Sequence, residues 1–196
     1  QAYKRSAELA KVKGAFAGYT HNADAMGKVI GMHRHAAYNI ADMAAAAKIK
    51  TAAMDAWDEV YALTGFRNCQ VTVLAPCGTI SFMMDCDTTG VEPCLGLVTT
   101  KKLVGGGEMK MVNGVIHRAL QTLGYDDLAM TQICEDIYDG HTPKITKEDW
   151  PVFATALGDN PISWQGHIKM VAAVQPFLSG GCSKTVNMPH DSTVQD

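Results

Sequence analysis

The stretch Val71-Thr72-Val73-Leu74-Ala75-Pro76-Cys77-Gly78-Thr79-Ile80-Ser81 constrains the chain most. A β-branched apolar run ends at a proline, and a glycine, a threonine and a serine follow within a few positions. Pro76 has no N–H to give a sheet ladder, so it closes the strand. Gly78 permits a tight turn or a close approach of backbone to ligand. Thr79 and Ser81 bring hydroxyls that can cap the helix that follows. Strand, short polar turn and helix start together present main-chain N–H groups to a phosphate. An ordinary strand–loop–helix junction has the same pattern, so the neighbouring residues must decide.

With 196 residues the chain can bury a sizeable core in one or two domains. It is 47% hydrophobic and 19% charged, with a net charge of −3. That balance argues against disorder, and the lack of a basic excess argues against nucleic acid as a surface partner. No run of about 18 apolar residues predicts a membrane span. The first residues, Gln1-Ala2-Tyr3-Lys4-Arg5, read as the middle of a longer chain rather than a leader. Asp191 to Asp196 reads as a helix start cut short. Cysteines stand at 69, 77, 86, 94, 134 and 182, the first four separated by seven, eight and seven residues. No Cys-x-x-Cys pair occurs, which disfavours a zinc ribbon or a thioredoxin-type site. Free thiols and a cytoplasmic location are the expectation. His33 and His35 are two apart and point to different sides of a helix, so they form no metal motif.

Periodicity predicts helices through the first third. Ala2 to Lys13 is one, stopped by Gly14. Asn22 is the expected cap of the next, with Met26, Val29, Ile30, His33 and Ala37 on one face. Asp42 is the expected cap of a third, Met43 to Leu63, where Lys50, Ala53, Met54, Trp57, Val60 and Tyr61 share a side and Gly65 follows. His33 beside its apolar stripe reads as a core or rim histidine. Asp85 and Asp87 flank Cys86 without the ligand series of a calcium loop. Gly90 and Pro93 mark a bend, and Pro93 disfavours helix at Glu92. Leu97 to Leu103 reads as a short strand, and Gly105-Gly106-Gly107 lacks the rest of a dinucleotide fingerprint. Val112, Val115, Ile116, Ala119, Leu120 and Leu123 form a helical stripe that stops at Gly124. Asp127 to Tyr138 predicts another helix. Residues 140–162 suggest a surface excursion with a short helix near Trp150 to Leu157. Gln165 to Ser179 is apolar nearly all round and predicts a buried helix, kinked or ended at Pro176. Ser183 to Pro189 reads as a strand ending in a proline turn. Helices alternating with a few short strands indicate α/β, and so few strands do not close a sheet alone.

From Ala75-Pro76-Cys77-Gly78-Thr79-Ile80-Ser81 through Cys86-Asp87-Thr88-Thr89-Gly90-Val91-Glu92-Pro93, the chain resembles the adenosylcobalamin-dependent (class II) ribonucleotide reductase large chain. The resemblance continues through Lys101-Lys102-Leu103-Val104-Gly105-Gly106-Gly107. It resumes at Gly166-His167-Ile168-Lys169-Met170-Val171-Ala172-Ala173-Val174-Gln175-Pro176-Phe177 and at Ser183-Lys184-Thr185-Val186-Asn187-Met188-Pro189. It implies a mostly helical fragment of a ten-stranded α/β barrel, with residues 1–196 as one incomplete segment of the catalytic domain. It further implies radical chemistry that removes the ribose 2′-hydroxyl to make deoxyribonucleotides for DNA synthesis. Pro76, Cys77, Gly78, Thr79, Ile80 and Ser81 would be the substrate-phosphate loop, and the cofactor would be adenosylcobalamin. Implied partners are a ribonucleotide, the upstream half of the reductase, a dithiol reductant and a second copy in a homodimer, with no nucleic acid and no membrane.

Two departures accompany the resemblance. Cys77 stands where the family usually has threonine, a weaker donor in place of a hydroxyl, and Cys182 stands where an aliphatic residue is expected. Both read as small apolar groups rather than catalytic thiols. The family's Asn-Pro-Cys-x-Glu radical loop and its redox cysteines do not occur in these residues, so no catalytic residue is assigned and turnover is expected to need an upstream segment. A non-catalytic structural or assembly remnant of the same barrel is the alternative. The contacts to cobalamin are not assigned; Ser183 to Pro189 is the place to look.

Overall fold

The computed structural model describes residues 1–196 apart from Ala45, Asp85, Leu103 and Asp196, and apart from the side chains of Phe82 and Lys101. The expectations for Asp85 and for the strand end at Leu103 therefore lie outside the described residues. The chain forms two compact units, one of residues 1–75 and 171–182, the other of 76–170 and 183–196.

The first unit is built on three helices. Helix α1 (Ala2–Lys13) ends at Gly14, whose φ of 78° is left-handed and open to glycine at little cost. Helix α2 spans Tyr19–Tyr38 and α3 spans Ala47–Tyr61. Tyr3, Ala7, Met26, Ile30, Val60 and Phe66 bury together, with Tyr19, Trp57, Leu63 and Val71 packed around them. Spacings of four place Tyr3 with Ala7 and Met26 with Ile30 on common helix faces, and packing those faces supplies the apolar burial. Two expected caps prove to do other work. Asn22 lies inside α2 and donates from Nδ2 to the Gly18 carbonyl (2.8 Å). Asp42 precedes a later helix start and accepts from Lys50 Nζ (2.7 Å). His33 is buried, with Nδ1 2.6 Å from the Pro176 carbonyl. A carbonyl only accepts, so the proton sits on Nδ1.

The Val71–Leu74 run does not become a laddered strand in these residues. It makes one isolated parallel bridge, Leu74 with Cys182, where Leu74 N donates to Gly181 O (3.1 Å). Nearby, Gly180 N donates to Thr72 O (2.8 Å), and Ser179 Oγ accepts from the amides of Val71 and Thr72. A Cβ at Gly180 would stand 2.9 Å from Thr72 O, so only glycine allows this approach.

In the second unit, helix α4 (Gly78–Met83) begins two residues after Pro76. Strands β1 (Val98–Lys102) and β2 (Glu108–Val112) form an antiparallel hairpin pairing Val98 with Val112 and Lys102 with Glu108. Gly105, Gly106 and Gly107 turn it with φ of 99°, 95° and 98°. Strand β2 was not anticipated, and Val112 belongs to it rather than to the helical stripe. Helix α5 (Val115–Leu123) ends at left-handed Gly124, and α6 (Asp127–Asp139) is capped by Asp126, which accepts from Ala129 N (2.8 Å). Ile116, Leu120, Met130, Ile133, Ile137 and Phe153 bury as one core. The excursion carries a 3-10 turn at Trp150–Phe153.

Helix α7 spans Trp164–Val174, and Pro176 sits in the 3-10 turn Gln175–Phe177 that follows. The expected burial of this helix fails: Ile168 and Met170 are each 49% exposed. An all-round apolar helix needs cover on every side, and this chain supplies it only around His167. Ser183 to Pro189 joins no ladder among the described residues, so its expected strand is not formed either. A strand requires a neighbour to accept its amides, and here the Thr185 amide goes to the Glu92 side chain. No disulfide forms among the described residues.

Candidate functional site

The turn after Pro76 runs into α4 within two residues. Cys77 occupies the N-cap position, and no side chain caps the helix. Thr79 and Ser81 lie inside α4, so neither acts as the expected cap. The Ser81 amide donates to the Cys77 carbonyl (3.0 Å) and the residue is 5% exposed. Pro76, Gly78, Thr79 and Ile80 are exposed and Cys77 is half-buried. Among the described residues the amides of Gly78, Thr79 and Ile80 donate to no backbone carbonyl, as the first turn of a helix dictates. Gly78 does not take a left-handed φ. A Cβ there would meet nothing within 4 Å. Tight turning therefore does not explain this glycine, and the space over it is open.

The end of α4 is tied to the following loop by Cys86 N, which donates to Ser81 O (2.9 Å). Farther along, Cys94 Sγ lies 3.5 Å from Asp87 O, and Ala156 N donates to Cys94 O (2.8 Å). Burial pushes the Cys94 thiol above its ordinary range, partly offset by a hydrogen bond from Asn113. A thiol kept protonated is a poor nucleophile. Asp87, with Cys86, Asn113 and Arg118, lines an open cavity of about 600 Å³ beside β2. Among the described residues no group of three or more His, Cys, Asp or Glu could hold a metal ion, and no helix is long and apolar enough to cross a membrane.

One cluster escaped the sequence reading. Lys184 Nζ donates to Glu92 Oε2 (2.7 Å), and the amide of Thr185 donates to Glu92 Oε1 (2.6 Å). The Lys184 side chain is only 2% exposed. Burial alone would raise the Glu92 carboxyl, but the bonds from Lys184 and Thr185 outweigh it and hold it below the ordinary carboxylate range. His167 is buried, and neither ring nitrogen has a hydrogen-bond partner among the described residues. Burial, reinforced by the Lys184 ammonium and opposed by Glu92, pushes the imidazole pKa down and keeps the ring neutral. Glu92 read only as the residue before Pro93, and a pairing across 92 positions leaves no trace in local pattern. A lone lysine inside an otherwise uncharged run was the available signal.

A family model, "Ribonucleotide reductase, barrel domain", matches residues 1–196. A vitamin B12-dependent ribonucleotide reductase of Streptantibioticus cattleyicolor is 47% identical over 99% of this chain and 34% of its own length. That of Rhodopirellula baltica is 48% identical over 100% of this chain and 20% of its own. A vitamin B12-dependent ribonucleoside-diphosphate reductase of Thermoplasma acidophilum is 34% identical over 66% of the chain. The chain thus spans about a third or less of the length of these curated relatives. A match running from the first residue to the last places the protein in the ribonucleotide reductase barrel-domain family.

Proposed function

We propose that this chain is one segment of the catalytic barrel of an adenosylcobalamin-dependent ribonucleotide reductase, and that Pro76–Ser81 holds the substrate phosphates. The carrying observation is the match over the chain's whole length to B12-dependent relatives. The overall reaction balances as ribonucleotide plus dithiol giving deoxyribonucleotide, water and a disulfide. In this reading the substrate is a ribonucleoside diphosphate, as the name of the Thermoplasma relative suggests. The rest of the reductase supplies the radical cysteine, and a dithiol supplies the electrons. The assembled enzyme works as a homodimer in the cytoplasm, apart from nucleic acid and membrane.

The residues of the turn have distinct tasks. The amides of Gly78, Thr79 and Ile80 meet the phosphate oxygens with the Thr79 hydroxyl beside them. Gly78 keeps the approach clear, while Pro76 and Cys77 set the entry of the chain. Ser81, buried with its amide bonded to Cys77, holds the turn in shape. None of them needs to move a proton, because the turn's work is to position the ribose for attack elsewhere. Adenosylcobalamin, when bound, supplies the organic radical that starts the chemistry. Lys184 is committed to Glu92, so any part that residues 183–189 play toward the corrin leaves that ammonium out.

Gly78→Val in the complete reductase tests the turn. With no atom within 4 Å of the new Cβ, folding should hold within about 1 kcal/mol. The KM for the nucleoside diphosphate should rise at least about tenfold as the branched side chain fills the approach. An unchanged KM would remove the turn from the substrate site.

A further inference from the structure

We propose that Lys184 is a positioning residue for the phosphate turn, acting through Glu92 to latch the loop that follows α4 onto the segment 183–187. This rests on the reading of the turn given above. Three observations converge. First, both oxygens of one carboxylate are taken by consecutive residues, Lys184 through its ammonium and Thr185 through its amide. Such a two-point grip fixes orientation as well as distance. Second, the ammonium is almost wholly buried. Desolvating a charge costs more than a well-packed apolar side chain would, so stability alone is a weak reason for the pair. Third, among the described residues the loop between α4 and β1 has no ladder or helix of its own. It is held by the Cys86 bond to Ser81 at one end and by Cys94 and Leu95 at the other, whose carbonyls accept from Ala156 and Leu157.

Glu92 sits in the middle of that span, and its anchor is the only ion pair on the loop among the described residues. Asn187 extends the same grip, donating from Nδ2 to Ala156 O (3.3 Å), the residue that holds Cys94. The buried His167 ring, neutral beside the pair, fills the space without adding a third charge. Pulling on Lys184 therefore moves the loop, and the loop is bonded to the carbonyl of Ser81 at the back of the turn.

The test compares Lys184→Met, Glu92→Gln and the double variant. Each single change leaves one buried charge without its counter-ion and should lower the unfolding midpoint. The double change removes both charges and should recover most of that midpoint. In the complete reductase, the double variant should still show a KM for nucleoside diphosphate raised about tenfold, with kcat much less affected. In the 196-residue chain itself, its hydrogen-bonded amides of Ser81, Met84 and Cys86 should exchange with solvent about tenfold faster, while α5 and α6 keep their protection. If KM returns to the parent value together with the midpoint, the pair serves only stability and the proposal is overturned. Unchanged exchange at Ser81, Met84 and Cys86 overturns it as well. Should the parent reductase bind no nucleotide through the turn, the functional reading fails, and the exchange measurement alone decides the latch.

Discussion

His167 shows what burial does to a single residue. Its ring lies beside a lysine and a glutamate that are already paired, and its nitrogens find no protein partner among the described residues. The folded pKa lies below the ordinary value of 6.5, chiefly through burial. The folded state therefore binds fewer protons than the unfolded one. Stability from this group is complete above pH 6.5 and is lost as pH falls through the folded value. Glu92 behaves in the same sense lower down, its contribution present above its ordinary 4.5 and lost on further acidification. The unfolding midpoint should thus decline as pH falls below about 6.5, and His167→Gln should flatten that decline in thermal scans. A variant with the same pH dependence as the parent would show that some other group titrates. Nothing about His167 was legible as a role in the sequence, since it stood in a family motif beside apolar neighbours. Gly78 was expected to permit a tight turn or a close approach; it takes no left-handed φ, and the space beside it is open.

Elements obey the same logic with longer reach. Helices α1, α5 and α6 were readable because a stripe repeating at helical spacing, with glycine or a capping aspartate at the ends, is a local signal. The hairpin partner β2 was not, because pairing depends on a reversal through three left-handed glycines that brings residues 108–112 back along 98–102. Helix α7 was identified as an element and misjudged in its surroundings, its apolar faces being half exposed in this chain. The core between α5 and α6 carries a direct test. Leu120 is fully buried among Ile116, Ile133 and Phe153. Leu120→Ala should cost about 2–5 kcal/mol in urea unfolding. Val115→Ala, at an exposed position on the same helix, should cost well under that, and equal costs would contradict the assigned helix face.

On the scale of the whole molecule, the chain covers only 34% and 20% of two relatives it resembles closely. The described chain leaves apolar side chains of α4 and α7 exposed, among them Ile80, Met83, Ile168 and Met170. The purified chain, given a ribonucleoside diphosphate, adenosylcobalamin and a dithiol, should form no deoxyribonucleotide by product chromatography. Joined to the preceding part of a reductase, it should restore turnover. Robust turnover by the chain alone would mean that its own residues hold the radical site.

By itself the sequence determined the family, most of the helix positions and the place of the turn after Pro76, because motif chemistry and helical period are written in neighbouring residues. Tertiary structure alone decided that Val71–Leu74 meets Cys182 at a single bridge, that Ser81 faces inward, and that Glu92 meets Lys184. Those outcomes depend on which distant groups can satisfy a buried amide or charge, and satisfying them is a property of the folded chain rather than of any window along it.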